Sequence, residues 1–298
     1  MINKQLEYVI EVLEREVSGY SDEFAPERIN LIKDYVNDLR KESNFLSGEY
    51  EKCKADIVYF AETYVKIDTM AFGLTKFKPW NYQKDLLRHL QANKSTISKM
   101  RRQSGKTTCG LIAILHEVLF GDAKNIAIIS HRLNSAQDIL RVFNSMYEEL
   151  PLWLKKVRLL QATKSKLVFR DGFTIMAMSA NASCIKATTY DMILLDEFAF
   201  TYQEDTIINN NKYWLGLMPV EYNPETRLIM LSSLASKKRT HYFNKLWLDA
   251  LNGKNDLSAF NSDCIDGHED ERKFQMLPLI GEKDFDLEYE CKIEEESP

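Results

Sequence analysis

The chain has 298 residues, 45% of them hydrophobic, and a net charge of −5, enough to bury one large or two small cores unaided. Its five cysteines (Cys53, Cys109, Cys184, Cys264, Cys291) are scattered without a Cys-x-x-Cys pair, which excludes a disulfide frame or zinc ribbon and points to a reducing compartment. No run is apolar enough to cross a membrane, and the N-terminus lacks a signal-peptide core.

Residues 4–18 place Leu6, Val9, Ile10, Leu13 and Val17 at helical spacing, and residues 26–41 repeat the pattern behind Pro26. A third helix, Ala55–Ile67, is richer in aromatics and suits the core. Tyr82 and Gln83 open an amphipathic helix carrying Leu86, Leu87 and Leu90. From about residue 95 the pattern becomes strand-then-helix. Thr96–Met100 leads into Arg101-Arg102-Gln103-Ser104-Gly105-Lys106-Thr107-Thr108, and Thr107–Phe120 is an apolar-striped helix. Asn125–Ser130 reads as a buried strand and Ser135–Leu150 as a helix stopped by Pro151. Lys166–Phe169 and Phe173–Met178 flank Arg170-Asp171-Gly172, a hairpin turn. Met192–Asp196 and Arg227–Ser232 complete the strands. After residue 240 the sequence turns helical and then acidic, with no further strand expected.

The alternation gives an α/β fold with a mostly parallel sheet, a P-loop NTPase core. Gly105-Lys106-Thr107 is a phosphate loop: backbone amides close on phosphates, Lys106 reaches the β/γ oxygens, and the Thr107 hydroxyl goes to Mg²⁺. Gln103, Ser104 and Thr108 belong to the same ATP-binding stretch. The apolar run Met192–Leu195 ends in Asp196-Glu197, at the sheet edge where open α/β proteins bind ligands. Asp196 suits the Mg²⁺ shell, and Glu197 suits the base for the attacking water. Met100 stands where the commonest phosphate loop has glycine. Arg102 lies close enough in sequence to spread its charge over a transferring phosphoryl group. The negative total argues against nucleic-acid binding by the whole surface. Basic clusters at Lys99–Lys106, Lys155–Arg170 and Lys237–Arg239 nevertheless permit a local basic face.

Five segments together resemble viral DNA-packaging terminases, large subunit. They are Phe77-Lys78-Pro79-Trp80-Asn81-Tyr82-Gln83, the arginine-bearing phosphate loop, Leu195-Asp196-Glu197-Phe198-Ala199-Phe200, Leu231-Ser232-Ser233, and Ile280–Phe285 with Glu288-Tyr289-Glu290-Cys291. The resemblance covers roughly residues 55–295. It implies a RecA-like (ASCE) ATPase core at 55–240, preceded by amphipathic helices at 1–54 and followed by a small lid subdomain and acidic tail at 241–298. It further implies that Tyr82 and Gln83 recognise adenine, that Ser232 and Ser233 sense the γ-phosphate, and that Glu197, Arg102 and Lys106 are catalytic. The cofactors implied are ATP and Mg²⁺. The partners implied are double-stranded DNA, a portal protein, a small terminase subunit and further copies in a pentameric ring, at work in the host cytoplasm without a membrane. The family's nuclease domain is not expected within this chain. The departure is Lys186-Ala187, where many terminases carry Arg-Gly. Two other readings fit parts of the pattern: a superfamily-2 helicase fragment, which shares the glutamine, phosphate-loop and Asp-Glu elements, and a nucleotide-controlled scaffold docking through the N-terminal helices.

Overall fold

The structure, a computed structural model, describes residues 8–15, 26–69, 73–155, 159–170, 172–180, 189–201, 226–262 and 277–294. Two helices come first, α1 at 8–15 and α2 at Pro26–Ala55. The second runs fourteen residues beyond the expected stop at residue 41, because tertiary contacts hold its end. Buried Glu49 accepts hydrogen bonds from the Tyr59 and Tyr64 hydroxyls, and the Tyr50 hydroxyl reaches the Leu119 carbonyl. These outweigh the weak helix propensity of Ser43, Ser47 and Gly48.

The helix expected over Ala55–Ile67 is shorter. Asp56 caps α3 (Ile57–Tyr64) by accepting from the Val58 and Tyr59 amides. Val65 is extended, and β1 (Lys66–Thr69) pairs antiparallel with β2 (Gly73–Lys76). Then come α4 (Asn81–Ala92), β3 (Ser95–Lys99), α5 (Lys106–Phe120), β4 (Asn125–Ser130) and α6 (Leu133–Glu148). β5 (Leu159–Ala162), β6 (Lys166–Phe169) and β7 (Thr174–Ser179) follow, and the hairpin expected around Gly172 joins β6 to β7. Next are β8 (Met192–Asp196), a short 3₁₀ turn at Phe198–Thr201, β9 (Arg227–Ser232), α7 (Tyr242–Leu251), β10 (Ser258–Asn261) and α8 (Glu282–Glu288).

The main sheet has eight strands in the order β10-β3-β9-β8-β4-β7-β6-β5. All pairs from β10 to β7 are parallel, and β6 and β5 close one edge antiparallel. β10 corrects the expectation that no strand follows residue 240. Its sequence, Ser-Ala-Phe-Asn, has too little apolar periodicity to be read as a strand. It pairs with β3 from Ser258↔Thr96 to Asn261↔Lys99, so a piece of the last sixty residues belongs to the core sheet. One apolar cluster, including Phe60, Leu86, Leu111, Ile114 and Phe143, lies on the α3–α6 side of the sheet. The second, including Ile129, Ile193, Phe198, Phe243 and Trp247, lies under α7.

This order fixes where the chemistry falls. The phosphate-loop strand β3 and the carboxylate strand β8 are separated by β9 alone, and parallel pairing brings all three C-terminal ends to one edge. Lys99 stands opposite Ser232, and Asp196 opposite Leu231. Gly110 lets α5 lie close on that edge, since a Cβ there would come 2.8 Å from Leu231 Cδ1.

Candidate active site

β3 hands the chain to a loop with two left-handed residues, Gln103 (φ 58°) and Gly105 (φ 74°), before α5 begins at Lys106. A Cβ on Gly105 would come 2.5 Å from Gln83 Nε2, so both the dihedral and the space call for glycine here. α5 has no side-chain cap at its start. Its first-turn amides lack helical partners, and the helix dipole favours an anion there.

Lys106 is buried, and its Nζ lies 2.8 Å from Glu197 Oε1. Glu197 has φ 51°, a left-handed conformation costly for a side-chain-bearing residue and characteristic of functional sites. Its other oxygen, Oε2, accepts from the Ser233 hydroxyl (3.3 Å) and amide (3.4 Å). Beside it the Thr107 hydroxyl donates to Asp196 Oδ1 at 2.8 Å. Burial pushes the Asp196 carboxyl up to about 6, and the neighbouring Glu197 charge adds to the shift. The Thr107 hydrogen bond and the Lys106 charge oppose it.

The donor set fits Mg²⁺. A hydroxyl and a buried carboxylate are hard oxygen ligands, and of the two adjacent carboxylates only Glu197 is paired with a cation among the described residues, Lys106. No cluster of three metal-binding side chains occurs among the described residues.

The remaining candidates divide into braces and rim residues. Gln83 is buried, its Nε2 donating to the Ser104 carbonyl (2.9 Å) and its Oε1 accepting from the Trp80 amide (3.0 Å). The Tyr82 hydroxyl donates to the same Ser104 carbonyl at 3.1 Å. Both residues thus hold the phosphate loop in this structure. Ser232 is fully buried, accepting from the Ala199 amide at its Oγ and from the Met100 amide at its carbonyl. It ties the turn after Glu197 to the loop. Ser104 is buried, Thr108 half-buried and Gln103 exposed.

Arg102 is half-exposed (51%) and pairs with Glu288, side chain to side chain at 2.9 Å and amide to carbonyl at 2.9 Å. Glu288 was not singled out in the sequence as a contact of the loop. The pair spans 186 positions, and only the resemblance had marked the segment around Glu288. The same segment meets the loop's base through Lys99 Nζ and the Cys291 carbonyl, 2.9 Å apart. Lys186-Ala187 lies outside the described residues.

A loop of this shape, followed by a lysine and faced across one intervening strand by a carboxylate pair, defines a P-loop ATPase-type core. Residues 101–208 match the family described as terminase large subunit, T4likevirus-type, N-terminal. Among solved structures, the fold resembles the Thermus phage P74-26 large terminase ATPase domain, at 17% identity and TM-score 0.57, covering 73% of this chain and 95% of that one. It also resembles the HK97 bacteriophage large terminase, at 17% identity and TM-score 0.57, covering 80% of this chain. The match spans 55% of the HK97 protein's length. The resemblance to large-terminase ATPase domains read from the motifs is thereby shown, in the family match and in the fold.

Proposed function

We propose that this chain is the ATP-hydrolysing motor domain of a viral terminase large subunit, driving double-stranded DNA into a procapsid. The observation that carries the reading is the interlocked set of Lys106, Thr107, Asp196, Glu197 and Ser233 at one sheet edge. A core evolved only to bind nucleotide has no use for a strained, serine-oriented glutamate beside the phosphate site.

In this reading the α5 amides and Lys106 receive the β and γ phosphates, and Lys106 leaves Glu197 as it does so. Glu197 then accepts the proton of the attacking water, held in orientation by Ser233. Thr107 and Asp196 would hold Mg²⁺, which would supply charge neutralisation to the phosphoryl group. Arg102 exchanges Glu288 for the γ-phosphate, and Gln103, Ser104, Gly105 and Thr108 enclose the phosphates. Gln83 and Tyr82 act first on the loop backbone, and contact with adenine would come on top of that. Ser232 and Ser233 link the phosphate state to the strand edge. Coupling to DNA calls for phosphate-gripping basic side chains and no base readout. The reading extends to a ring of subunits, a portal and a small terminase subunit as partners, in the host cytoplasm. Among the described residues no helix is long and apolar enough to cross a membrane.

The test is ATPase rate per subunit against protein concentration, with and without duplex DNA. A rate rising with concentration and stimulated by DNA is expected, since a neighbouring subunit completes ring-ATPase sites. Absence of hydrolysis under every condition, including docked on a portal-bearing procapsid, would sink the reading.

A further inference from the structure

We propose that Asn244 is a positioning residue for Glu197, acting through the loop that carries Ser233; the inference rests on the hydrolytic reading above. Asn244 lies in the first turn of α7 and is 0% exposed. Its Nδ2 donates to the Ser236 carbonyl at 2.7 Å and the Lys238 carbonyl at 2.9 Å, using both of its N–H groups. Its Oδ1 is buried with no hydrogen-bond partner among the described residues. An unpartnered buried oxygen costs stability. A leucine of similar shape would avoid that cost but would take the donor from the Ser236 carbonyl and leave the Lys238 carbonyl with the His241 amide alone. The amide therefore serves the loop.

Two further residues of that loop, Ser233 and Lys237, are anchored to other elements. Ser233 reaches Glu197 itself, while Lys237 pairs with Asp286 at 2.8 Å and its carbonyl accepts from the Glu294 amide. Those attachments lead to the base and to the C-terminal segment that also holds Arg102. Asn244 instead refers the loop to α7, a rigid element packed on β3, β10 and the 3₁₀ turn after Glu197. The neighbouring Phe243 packs against Phe198 in that turn, ring centroids 6.5 Å apart. One helix turn thus braces both sides of the base: Phe243 supports the turn that follows Glu197, and Asn244 the loop that orients its carboxylate. The Ser233–Glu197 contacts of 3.3 and 3.4 Å are long. At that length a shift of a few tenths of an ångström decides whether they exist.

The experiment uses the full chain with Mg-ATP and three variants: Asn244→Leu, Ser233→Ala and the double variant, with Asn244→Ala in place of Leu should Leu fail to fold. A folded Asn244 variant should lose about tenfold in kcat, in the manner of small misplacements of catalytic groups, with KM changed less than twofold. The double variant should fall no further than Ser233→Ala alone, because the two act as a unit. A wild-type kcat in the Asn244 variant, or multiplicative losses in the double variant, would overturn the proposal. A second arm needs no hydrolysis. Amide hydrogen exchange of residues 233–238 in nucleotide-free protein should quicken in the Asn244 variant, and unchanged exchange there would also overturn it. Wild-type protein that does not hydrolyse ATP would count against the function reading alone, and the exchange arm still decides the role of Asn244.

Discussion

The deep half of the site and its rim are held by different physics. The deep half, Lys106, Thr107, Asp196, Glu197 and Ser233, is positioned by three adjacent parallel strand ends, and its polar groups satisfy one another in a nearly dry edge. The rim, Arg102 with Glu288, is half-exposed and joined by one ion pair and one backbone hydrogen bond to a segment remote in sequence. Electrostatic interactions in the deep half are strong because little water screens them, whereas an exposed pair contributes little. The deep half is therefore where chemistry should fail outright when altered, and the rim is where affinity should be tuned.

The largest effects test the first half of that statement. Lys106→Ala should abolish measurable hydrolysis and weaken ATP binding, since the phosphates lose their buried ammonium. Glu197→Gln should retain nucleotide binding while kcat falls about 10²–10⁴-fold, because an amide cannot accept the water's proton. Single-turnover hydrolysis beside equilibrium nucleotide binding separates the two, and near-normal turnover by Glu197→Gln would remove it from the mechanism.

The rim should answer differently at its two ends. Arg102→Ala should lower kcat by about 10²-fold if the guanidinium meets developing charge, whereas unchanged kcat with raised KM would assign it to ground-state binding. Glu288→Ala should leave kcat near normal and lower KM by at most about fivefold, the worth of a half-exposed pair. A raised KM in Glu288→Ala would mean that Glu288 supports the loop and does not compete with the nucleotide for Arg102.

Much of the deep half is legible in the sequence because Lys106 and Thr107 fall in the phosphate loop and the carboxylates and serines follow apolar runs. Asn125–Ser130, Met192–Asp196 and Arg227–Ser232 have the composition of buried parallel strands, and their ends deliver Asp196, Glu197, Ser232 and Ser233 to one edge. β10 is not legible, since four mixed residues carry no period and take their strand form from pairing with β3. The extension of α2 to Ala55 depends on Glu49 meeting Tyr59 and Tyr64, a contact between elements that no local pattern records. Glu288 shares that character, meeting a charge 186 positions away, whereas Asn244 acts on carbonyls six and eight positions upstream whose placement depends on the turn into α7.

Gln83 gives a finer test of what the loop's braces do. The family resemblance implies that its amide reads adenine, while in the fold both ends of that amide are engaged by the chain. Gln83→Leu should weaken ATP and GTP alike, by about 1–3 kcal/mol, because the buried Ser104 carbonyl loses a donor and the loop shifts. Titrating both nucleotides against the variant measures this. A loss confined to ATP would show instead that the amide reads the base.

The smallest effect tests a premise of the comparison, that the deep half is held by the scaffold behind it. α5 begins at Lys106 and ends against α2 and α3, where buried His116 places Nε2 3.0 Å from the Cys53 carbonyl and packs against Phe60 and Phe120. Burial lowers the His116 pKa from its ordinary 6.5, partly opposed by the hydrogen bond to Cys53. His89 is lowered for the same first reason. With the folded pKa depressed, the unfolded chain binds more protons in the window just below pH 6.5. Stability then rises with pH through that window, is fully present above it, and is lost as the solution is acidified. Asp196, raised to about 6, acts with the opposite sign in this window, so the test is comparative: urea midpoints at pH 7.5, 6.5 and 5.5 should shift toward lower values on acidification more in wild type than in His116→Gln, which keeps a donor for Cys53 but cannot titrate. The nucleotide-free Lys106→Ala protein loses the charge that opposes the Asp196 shift, and a raised carboxyl acts with the opposite sign to the histidines, so its slope should move toward stability at low pH. A slope identical to wild type in His116→Gln, with the whole change appearing in Lys106→Ala, would place the acid sensitivity in the site and not in its scaffold.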